Sequence, residues 1–299
     1  MEIINLNNKA VNYMEERNTD KYQKHGITIG PGWERERRVH FDEIVLNYDK
    51  RRWDYPEDLF KDALEYSGTG TGKKAIEIGA GTGKATKPFL DAGFDVTAVE
   101  LGKNMSEFIS EKYKDRKNFN VITSTFEDVV LEDDSYDIIY AASAFHWVES
   151  EIGCPKVYRL LKTGGIFALF RSSKVIAANT NLYEEIQDAY KKYHPDPYKR
   201  PEDKENLWTP KEILRGYGFE NMADYGFTDI YMKLYEKDLS YTADEYLEFL
   251  DTMSDHRILS PEDKDALYNA IKNAINNHGG QIINTNIFQL YMGKKGIKL

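Results

Sequence analysis

The chain has 299 residues, 41% of them hydrophobic and 13% aromatic, which is enough apolar side chain for both a core and a ligand pocket. Forty basic against fifty acidic residues give a net charge of −10, which opposes a broad nucleic-acid surface. The single cysteine, Cys154, excludes an intramolecular disulfide, and neither a secretory leader nor a membrane-spanning apolar run is visible, so we expect a cytoplasmic protein with no membrane or nucleic-acid partner.

The first predicted elements precede and follow a glycine-rich loop. Residues 1–40 are polar and irregular, with one short helical stretch at 9–17, and we predict an N-terminal extension or lid there. From Pro56, apolar residues recur at helical spacing until SGTGTGKK ends that helix. A strand at 74–79 leads into the loop, and a helix follows that tolerates Pro88 only because it lies in the first turn.

The region up to residue 172 has the pattern of a doubly wound α/β domain. Strands are predicted at 74–79, 95–100, 118–124, 136–143 and 164–170, with helices between them. Strands that are apolar on both faces and alternate with helices form a mostly parallel sheet that is covered on both sides. We therefore predict a Rossmann-like core at 41–172, built on a mostly parallel seven-stranded sheet.

The remaining residues, 173–299, are predicted to form a helical cap over the substrate and to complete the sheet. A helix at 181–191 precedes a proline-rich loop at 194–210. Thr242 and Glu245 form a capping box, and Ser260-Pro261 opens another helix. The last strand, 283–293, is expected to add an antiparallel edge to the sheet.

The loop in AIEIGAGTGKAT, residues 75–86, fits neither of two familiar phosphate sites. A P-loop needs a glycine five positions before Gly83 and a serine or threonine after Lys84, but Ile78 and Ala85 stand there. A dinucleotide fingerprint needs its third glycine at position 84, which is the lysine. Glu100 ends the next predicted strand, where a carboxylate can accept hydrogen bonds from both ribose hydroxyls of an adenosine ligand.

Several motifs occur in an order that resembles the class I S-adenosylmethionine-dependent methyltransferases. They are GAGTG after a strand bearing Glu77, Glu100 itself, FED at 126–128 and LLKTGG at 160–165. SAFHW at 143–147 and YDKRRWDYP at 48–56 are similar to the small-molecule branch that includes trans-aconitate methyltransferase-like proteins. Trp53 departs from that branch, which commonly has a proline there.

The resemblance implies S-adenosylmethionine as cofactor and a set of residues around it. Leu101 and Met105 would flank the adenine, although both also fit a plain helix core. Thr125 stands where many relatives have an acid, which leaves Phe126 and Glu127 near the adenine. Residues expected at the cofactor are Tyr48, Arg52, Glu77, Gly79, Ala80, Gly81, Thr82, Gly83, Glu100, Leu101, Met105, Thr125, Phe126, Glu127, Ala142, Ala144 and Phe145.

The acceptor is expected at the carboxyl ends of the strands, beneath the cap. His146 is the candidate base, because its ordinary pKa lies near neutrality, but a histidine there also serves to anchor a loop. The candidate substrate contacts are Trp147, Tyr246, Ser254 and His256. No metal-ligand spacing occurs among the histidines, so no metal is expected.

The predicted function is in-line methyl transfer to a small molecule. In-line transfer from a sulfonium requires alignment and exclusion of water more than a strong base. An NAD-dependent oxidoreductase and a non-catalytic S-adenosylmethionine-binding protein remain as alternatives, and the sequence leaves the oligomeric state open.

Overall fold

The computed structural model describes residues 4–5, 41–68, 70–176, 181–194, 222–257 and 259–296. The predicted helix at 9–17 and nearly all of the loop at 194–210 lie outside these ranges. The N-terminal elements are β1 (Ile4–Asn5), α1 (Val45–Arg51), α2 (Glu57–Ser67), β2 (Lys74–Ile78), α3 (Thr86–Asp91), β3 (Asp95–Glu100), α4 (Lys103–Lys112), β4 (Phe119–Thr123) and β5 (Tyr136–Ala142). The C-terminal elements are α5 (Ser150–Leu160), β6 (Leu161–Ile176), α6 (Asn181–Tyr193), β7 (Phe227–Thr242), α7 (Ala243–Leu250), α8 (Ser254–Arg257), α9 (Pro261–Asn277) and β8 (Gln281–Lys295). Short 3₁₀ turns at Phe145–Trp147 and Met222–Tyr225 precede α5 and β7.

These strands form one sheet in the order β1-β7-β8-β6-β5-β2-β3-β4. The strands β2 to β6 pair in parallel, whereas β8 pairs antiparallel with both β6 and β7. This confirms the predicted Rossmann-like sheet of seven mostly parallel strands, to which the two-residue β1 adds an eighth at the edge. No described helix is both long and apolar enough to cross a lipid bilayer.

The predicted place of the last strand was wrong. We expected it at an edge, but β8 lies in the interior between β6 and β7. We did not predict β7, because only three of its sixteen residues are buried and because it includes several charged side chains. An antiparallel strand with one solvated face has this pattern, which is weaker than the apolar runs of the parallel strands.

Three apolar clusters hold the chain together. One cluster lies on the sheet face covered by α2 and α3 and includes Leu59, Phe89, Phe170 and Phe288. A second cluster lies on the other face, where Val157 and Leu160 of α5 pack. The third cluster joins α6, α7 and α9 to Ile282 of β8 and forms the helical cap.

The cap is built on strands that extend past the rest of the sheet. Pairing of β5 with β6 ends at Ala142 and Phe170, but pairing of β6 with β8 continues to Ile176 and Asn284. At about 3.3 Å per residue, these six further residues extend about 20 Å above the carboxyl ends of the parallel strands. We call this three-stranded extension of β6, β7 and β8 the wall.

The helices of the cap begin where the sequence predicts. The Thr242 side chain accepts from the Glu245 amide, and the Glu245 carboxylate accepts from the Thr242 amide, which is the predicted capping box. Ser260 caps α9 by accepting from the Asp263 amide. Both helix starts follow from local sequence, which explains why they could be predicted without the tertiary structure.

Candidate cofactor and acceptor site

The glycine loop turns the chain sharply between β2 and α3. Gly79, Gly81 and Gly83 have φ values of 65°, 54° and 80°, in the left-handed region that favours glycine. A Cβ at Gly79 would lie 2.6 Å from the Ala144 Cβ, and one at Gly83 would lie 2.8 Å from the Tyr113 ring. All three glycines thus serve the turn, and Gly79 and Gly83 also allow the close approach of neighbouring segments.

Glu100 joins the glycine loop to the loop after β3. Its side chain is 9% exposed, and its two carboxylate oxygens accept from the Gly81 amide at 2.7 Å and the Gly102 amide at 2.9 Å. Burial raises the pKa of Glu100, and the two backbone amides oppose that rise. Because each carboxylate oxygen has a second lone pair, the group can still accept from a ligand's hydroxyls.

Glu77 is buried beneath the same loop. Its Oε2 accepts hydrogen bonds from the Thr86 hydroxyl and from the Tyr140 hydroxyl, the latter at 3.1 Å. Burial raises the pKa of Glu77 to about 8, while the two hydroxyls lower it and the nearby Glu100 raises it further. We expected Glu77 at the cofactor. The side chain takes part in this hydrogen-bond network and also lines the pocket above the loop.

Replacement of Glu77 by glutamine should change how stability depends on pH. The folded protein holds the Glu77 proton up to about pH 8, whereas the ordinary pKa is 4.5. The stability from this proton is complete below pH 4.5 and is lost as the pH rises through about 8. Glutamine stays neutral, so the unfolding free energy of Glu77→Gln minus that of the wild type should grow by about 1.4 kcal/mol per pH unit in this window. Urea unfolding of the ligand-free protein measures this difference, and parallel curves would contradict the raised pKa.

Helix α1 lies over the pocket and forms ion pairs with both the core and the cap. Asp49 pairs with Lys112 of α4 at 3.0 Å, on the core side. On the cap side, Arg51 pairs with Glu245 at 3.0 Å and also with Glu248 of α7. One helix therefore contacts both regions that flank the site.

Arg52 follows α1 and lies among aromatic rings. Its guanidinium is 5.1 Å from the Tyr48 ring centroid and 5.3 Å from that of Trp53, and its Nη2 donates to the Thr252 carbonyl at 2.6 Å. Its Nε is buried without an acceptor among the described residues, and the same is true of the Thr82 hydroxyl. Both side chains line one pocket with Tyr48, Glu77, Gly79, Ala80, Gly81 and Ala142.

Lys84 also lines this pocket. It pairs with Asp54 at 2.8 Å and so joins the glycine loop to the segment after α1. At this position a dinucleotide site would have its third glycine.

The residues predicted near the adenine differ in burial and in hydrogen bonding. Leu101 is half-buried and Met105 is 2% exposed. The Thr125 hydroxyl donates to the Asp128 carboxylate and accepts from the Asp128 amide, so it stabilises its own turn. Phe126 packs in the second cluster at 3% exposure, and Glu127 is half-buried beside it. Their contacts with a cofactor remain predictions.

Asp42 is a residue at this end that the sequence analysis missed. Its carboxylate accepts from the Met105 amide at 2.8 Å and lies close to Gly102, where a Cβ would be 2.5 Å away. It therefore caps α4 from a distant segment. No local signal marks it, because the residue that caps α4 lies about sixty positions earlier in the chain.

The segment after β5 forms the opposite side of the site. Ala144 contacts Gly79, and Phe145 is buried against Phe167 at a centroid distance of 5.0 Å. His146 is exposed, and desolvation by the surrounding protein atoms, together with the charges of Arg171 and Arg52, lowers its pKa below the ordinary value. Trp147 lies against His146 and Phe41.

The other candidate substrate contacts lie in the cap. Tyr246 is 1% exposed and packs against Tyr241 and Phe249. His256 is also 1% exposed, and its Nε2 is hydrogen-bonded to the Tyr190 hydroxyl at 2.9 Å. The side chain of Ser254 lies outside the described part of the chain. Burial favours packing as the role of Tyr246 and His256, so substrate contact stays a prediction.

Comparison with known proteins agrees with this geometry. Residues 76–169 match the family described as a methyltransferase domain. An uncharacterized methyltransferase of Mycobacterium tuberculosis is 29% identical over 135 residues, which cover 45% of this chain and 53% of that protein. The chain thus spans about half the length of the first such relatives. The demethylmenaquinone methyltransferase of Paenarthrobacter aurescens is 25% identical over 210 residues, covering 64% of this chain and 78% of that protein.

A solved structure from Anaeromyxobacter dehalogenans, provisionally assigned as a type II methyltransferase, has the same fold. It superposes with a TM-score of 0.56 at 17% identity and covers 83% of this chain and 99% of that one. Residues 76–169 thus match a methyltransferase domain, and the fold around them is similar to that of this solved structure.

Proposed function

We propose that the protein transfers the methyl group of S-adenosylmethionine to a small molecule held between the carboxyl ends of the strands and the cap. One observation carries this proposal. The glycine loop, the buried Glu77 and the guanidinium of Arg52 line a single pocket, and the Glu100 carboxylate is bonded to that loop. The pocket therefore offers complementary groups to a ligand with hydroxyls, an ammonium and a carboxylate.

The polar groups of the pocket match this cofactor one by one. Glu100 would accept from the ribose hydroxyls, and Glu77 would lie on the side of the ammonium. Arg52 would pair with the carboxylate, which gives its buried Nε an acceptor, and the Thr82 hydroxyl would gain a partner as well. The unsatisfied atoms of the pocket support the fit, because buried polar atoms ordinarily have hydrogen-bond partners.

When bound, the sulfonium supplies an activated methyl carbon. The chain's own residues then need only to align the acceptor and exclude water. Helix α1 and the aromatic side chains of Tyr48 and Trp53 cover the pocket and supply this exclusion. His146, in the turn after β5, is the candidate base, and its lowered pKa keeps the ring neutral near pH 7, where it can accept a proton.

A small acceptor is supported by charge and by the covered site. The net charge of −10 opposes a polyanion, and the cap and α1 restrict access from solvent. The name of the Paenarthrobacter relative gives demethylmenaquinone, a small molecule, as the acceptor of that enzyme. The narrower resemblance to the trans-aconitate branch stays a prediction.

Arg52→Ala should weaken the binding of S-adenosylhomocysteine and leave the binding of adenosine nearly unchanged. We expect S-adenosylhomocysteine to bind about tenfold to a hundredfold more weakly, because a charged hydrogen bond to its carboxylate is lost. Adenosine has no carboxylate, so its affinity should change little. Calorimetric titration with both ligands measures the difference, and Lys50→Ala, an exposed change on α1, is the control. Equal losses for both ligands would place the carboxylate elsewhere.

Methyl transfer itself is tested with radiolabelled S-adenosylmethionine and a cell extract separated into dialysable and macromolecular fractions. We expect label to enter dialysable compounds, and Glu100→Ala should abolish most of that incorporation. Label confined to nucleic acid or protein would contradict the small-molecule acceptor. S-adenosylhomocysteine binding without label in any fraction would favour a non-catalytic binding protein.

A further inference from the structure

Two buried asparagines interrupt the apolar residues that β8 contributes to one face of the wall. Asn284 is 1% exposed and Asn286 is 2% exposed, and both belong to β8. Because side chains alternate along a strand, they share one sheet face with Phe288 and Leu290, which belong to the first apolar cluster. Across the sheet, Asn286 pairs with Lys174 and Lys237, whereas Asn284 pairs with Leu239 of β7. Asn284 is therefore a buried polar side chain next to an apolar register partner.

This pair lies where the core meets the cap. Trp53, which lines the cofactor pocket, packs against Phe288 at a centroid distance of 6.4 Å and against Phe249 of the cap at 5.3 Å. Beyond Asn284 on the same face, Ile282 already belongs to the cap cluster. On this face of β8 the asparagines therefore lie between Phe288 of the first cluster and Ile282 of the cap cluster. The proposed acceptor site lies between the same two parts of the chain.

The two side chains differ in their hydrogen bonding. The Asn286 amide nitrogen donates to the Ser172 hydroxyl oxygen at 3.2 Å. The Asn284 Oδ1 is buried without a donor among the described residues. Since buried oxygens ordinarily have donors, this atom is suited to receive one from a bound molecule.

We propose that Asn284 determines acceptor specificity: the methyl acceptor carries a hydroxyl or N–H group that donates to the Asn284 Oδ1. The proposal rests on the proposed function and specifies the substrate class of that same site. A neutral amide oxygen selects a hydrogen-bond donor without requiring positive charge. A site built around such a bond strongly rejects an analogue that lacks the donor, because the protein oxygen then stays unsatisfied.

The chain offers a matched control on the same strand. Gln289 is 2% exposed on the opposite face, and its Oε1 also has no donor among the described residues. Asn284→Leu and Gln289→Leu each replace an unsatisfied buried oxygen with an apolar side chain. Gln289→Leu also removes the hydrogen bond that its amide nitrogen donates to the Met232 sulfur, which is a weak acceptor. Both variants should therefore fold, and both should keep the wild-type affinity for S-adenosylhomocysteine.

The probe is a set of matched small molecules, aromatic and aliphatic, whose members differ by one hydroxyl or amino group, offered with labelled S-adenosylmethionine. We expect the wild type and Gln289→Leu to prefer the donor-bearing member by about tenfold or more in kcat/KM, and Asn284→Leu to lose that preference. A preference retained in Asn284→Leu, or lost equally in Gln289→Leu, would overturn the role of Asn284. Absence of wild-type transfer both to every member and to the dialysable fraction of the cell extract, with the cofactor analogue bound, would instead contradict the proposed function, and the role of Asn284 would fall with it.

Discussion

Glu100→Ala is expected to weaken binding of S-adenosylhomocysteine by about 1–3 kcal/mol, or about fivefold to more than a hundredfold. The carboxylate would no longer accept from the ribose, and the Gly81 and Gly102 amides would lose their acceptor. Adenosine should lose as much affinity as S-adenosylhomocysteine, since the ribose is common to both. This pattern differs from that of Arg52→Ala, which should spare adenosine.

The matched control is Glu107→Ala, which removes an exposed carboxylate from α4 without touching the loop. Titration calorimetry of both variants gives the affinities, and thermal unfolding without ligand shows whether each variant is folded. Unchanged affinity in a folded Glu100→Ala protein would show that the ribose does not contact Glu100.

Gly79→Ala should damage both stability and cofactor binding. The residue has a φ of 65°, which costs a non-glycine residue about 1–2 kcal/mol, and the new Cβ would lie 2.6 Å from the Ala144 Cβ. Overpacking of this kind adds about 1–3 kcal/mol. We therefore expect a total loss of about 2–5 kcal/mol in the unfolding free energy, together with weaker binding of S-adenosylhomocysteine.

Two further variants separate the backbone cost of Gly79→Ala from the cost of crowding against Ala144. Gly72→Ala has a similar φ of 75° and no neighbouring atom within 4 Å, so it reports the backbone cost alone. Ala144→Gly in the Gly79→Ala background removes the crowding and should restore that part of the stability. If Gly79→Ala lowered the unfolding free energy no more than Gly72→Ala does, the close contact with Ala144 would not contribute to the loss of stability.

The parallel core could be predicted because its signals are local. The signals are apolar strands, a glycine loop and capping residues such as Thr242. Each of them can be recognised from a few consecutive residues. The order of β7 and β8 could not be predicted, because β7 is amphipathic and because strand order depends on distant segments. The edge that we assigned to β8 is taken instead by β7 and β1.

The cofactor side of the site was easier to predict than the acceptor side. Glu77, Gly81 and Glu100 lie on neighbouring strands and loops at a spacing that the fold requires. The proposed acceptor side brings together Trp53, Ser172 and the strand bearing Asn286, which are far apart in the chain and become neighbours only through the wall. Two asparagines on an alternating apolar strand were the one signal in the sequence, and their burial became evident only in the structure.

The central claim is that the pocket binds S-adenosylmethionine rather than a dinucleotide. Calorimetric titration of the wild type with S-adenosylhomocysteine and, separately, with NAD tests it most directly. The account predicts saturable one-to-one binding of S-adenosylhomocysteine, competed by S-adenosylmethionine, and no measurable binding of NAD. Tight binding of NAD with none of S-adenosylhomocysteine would contradict it.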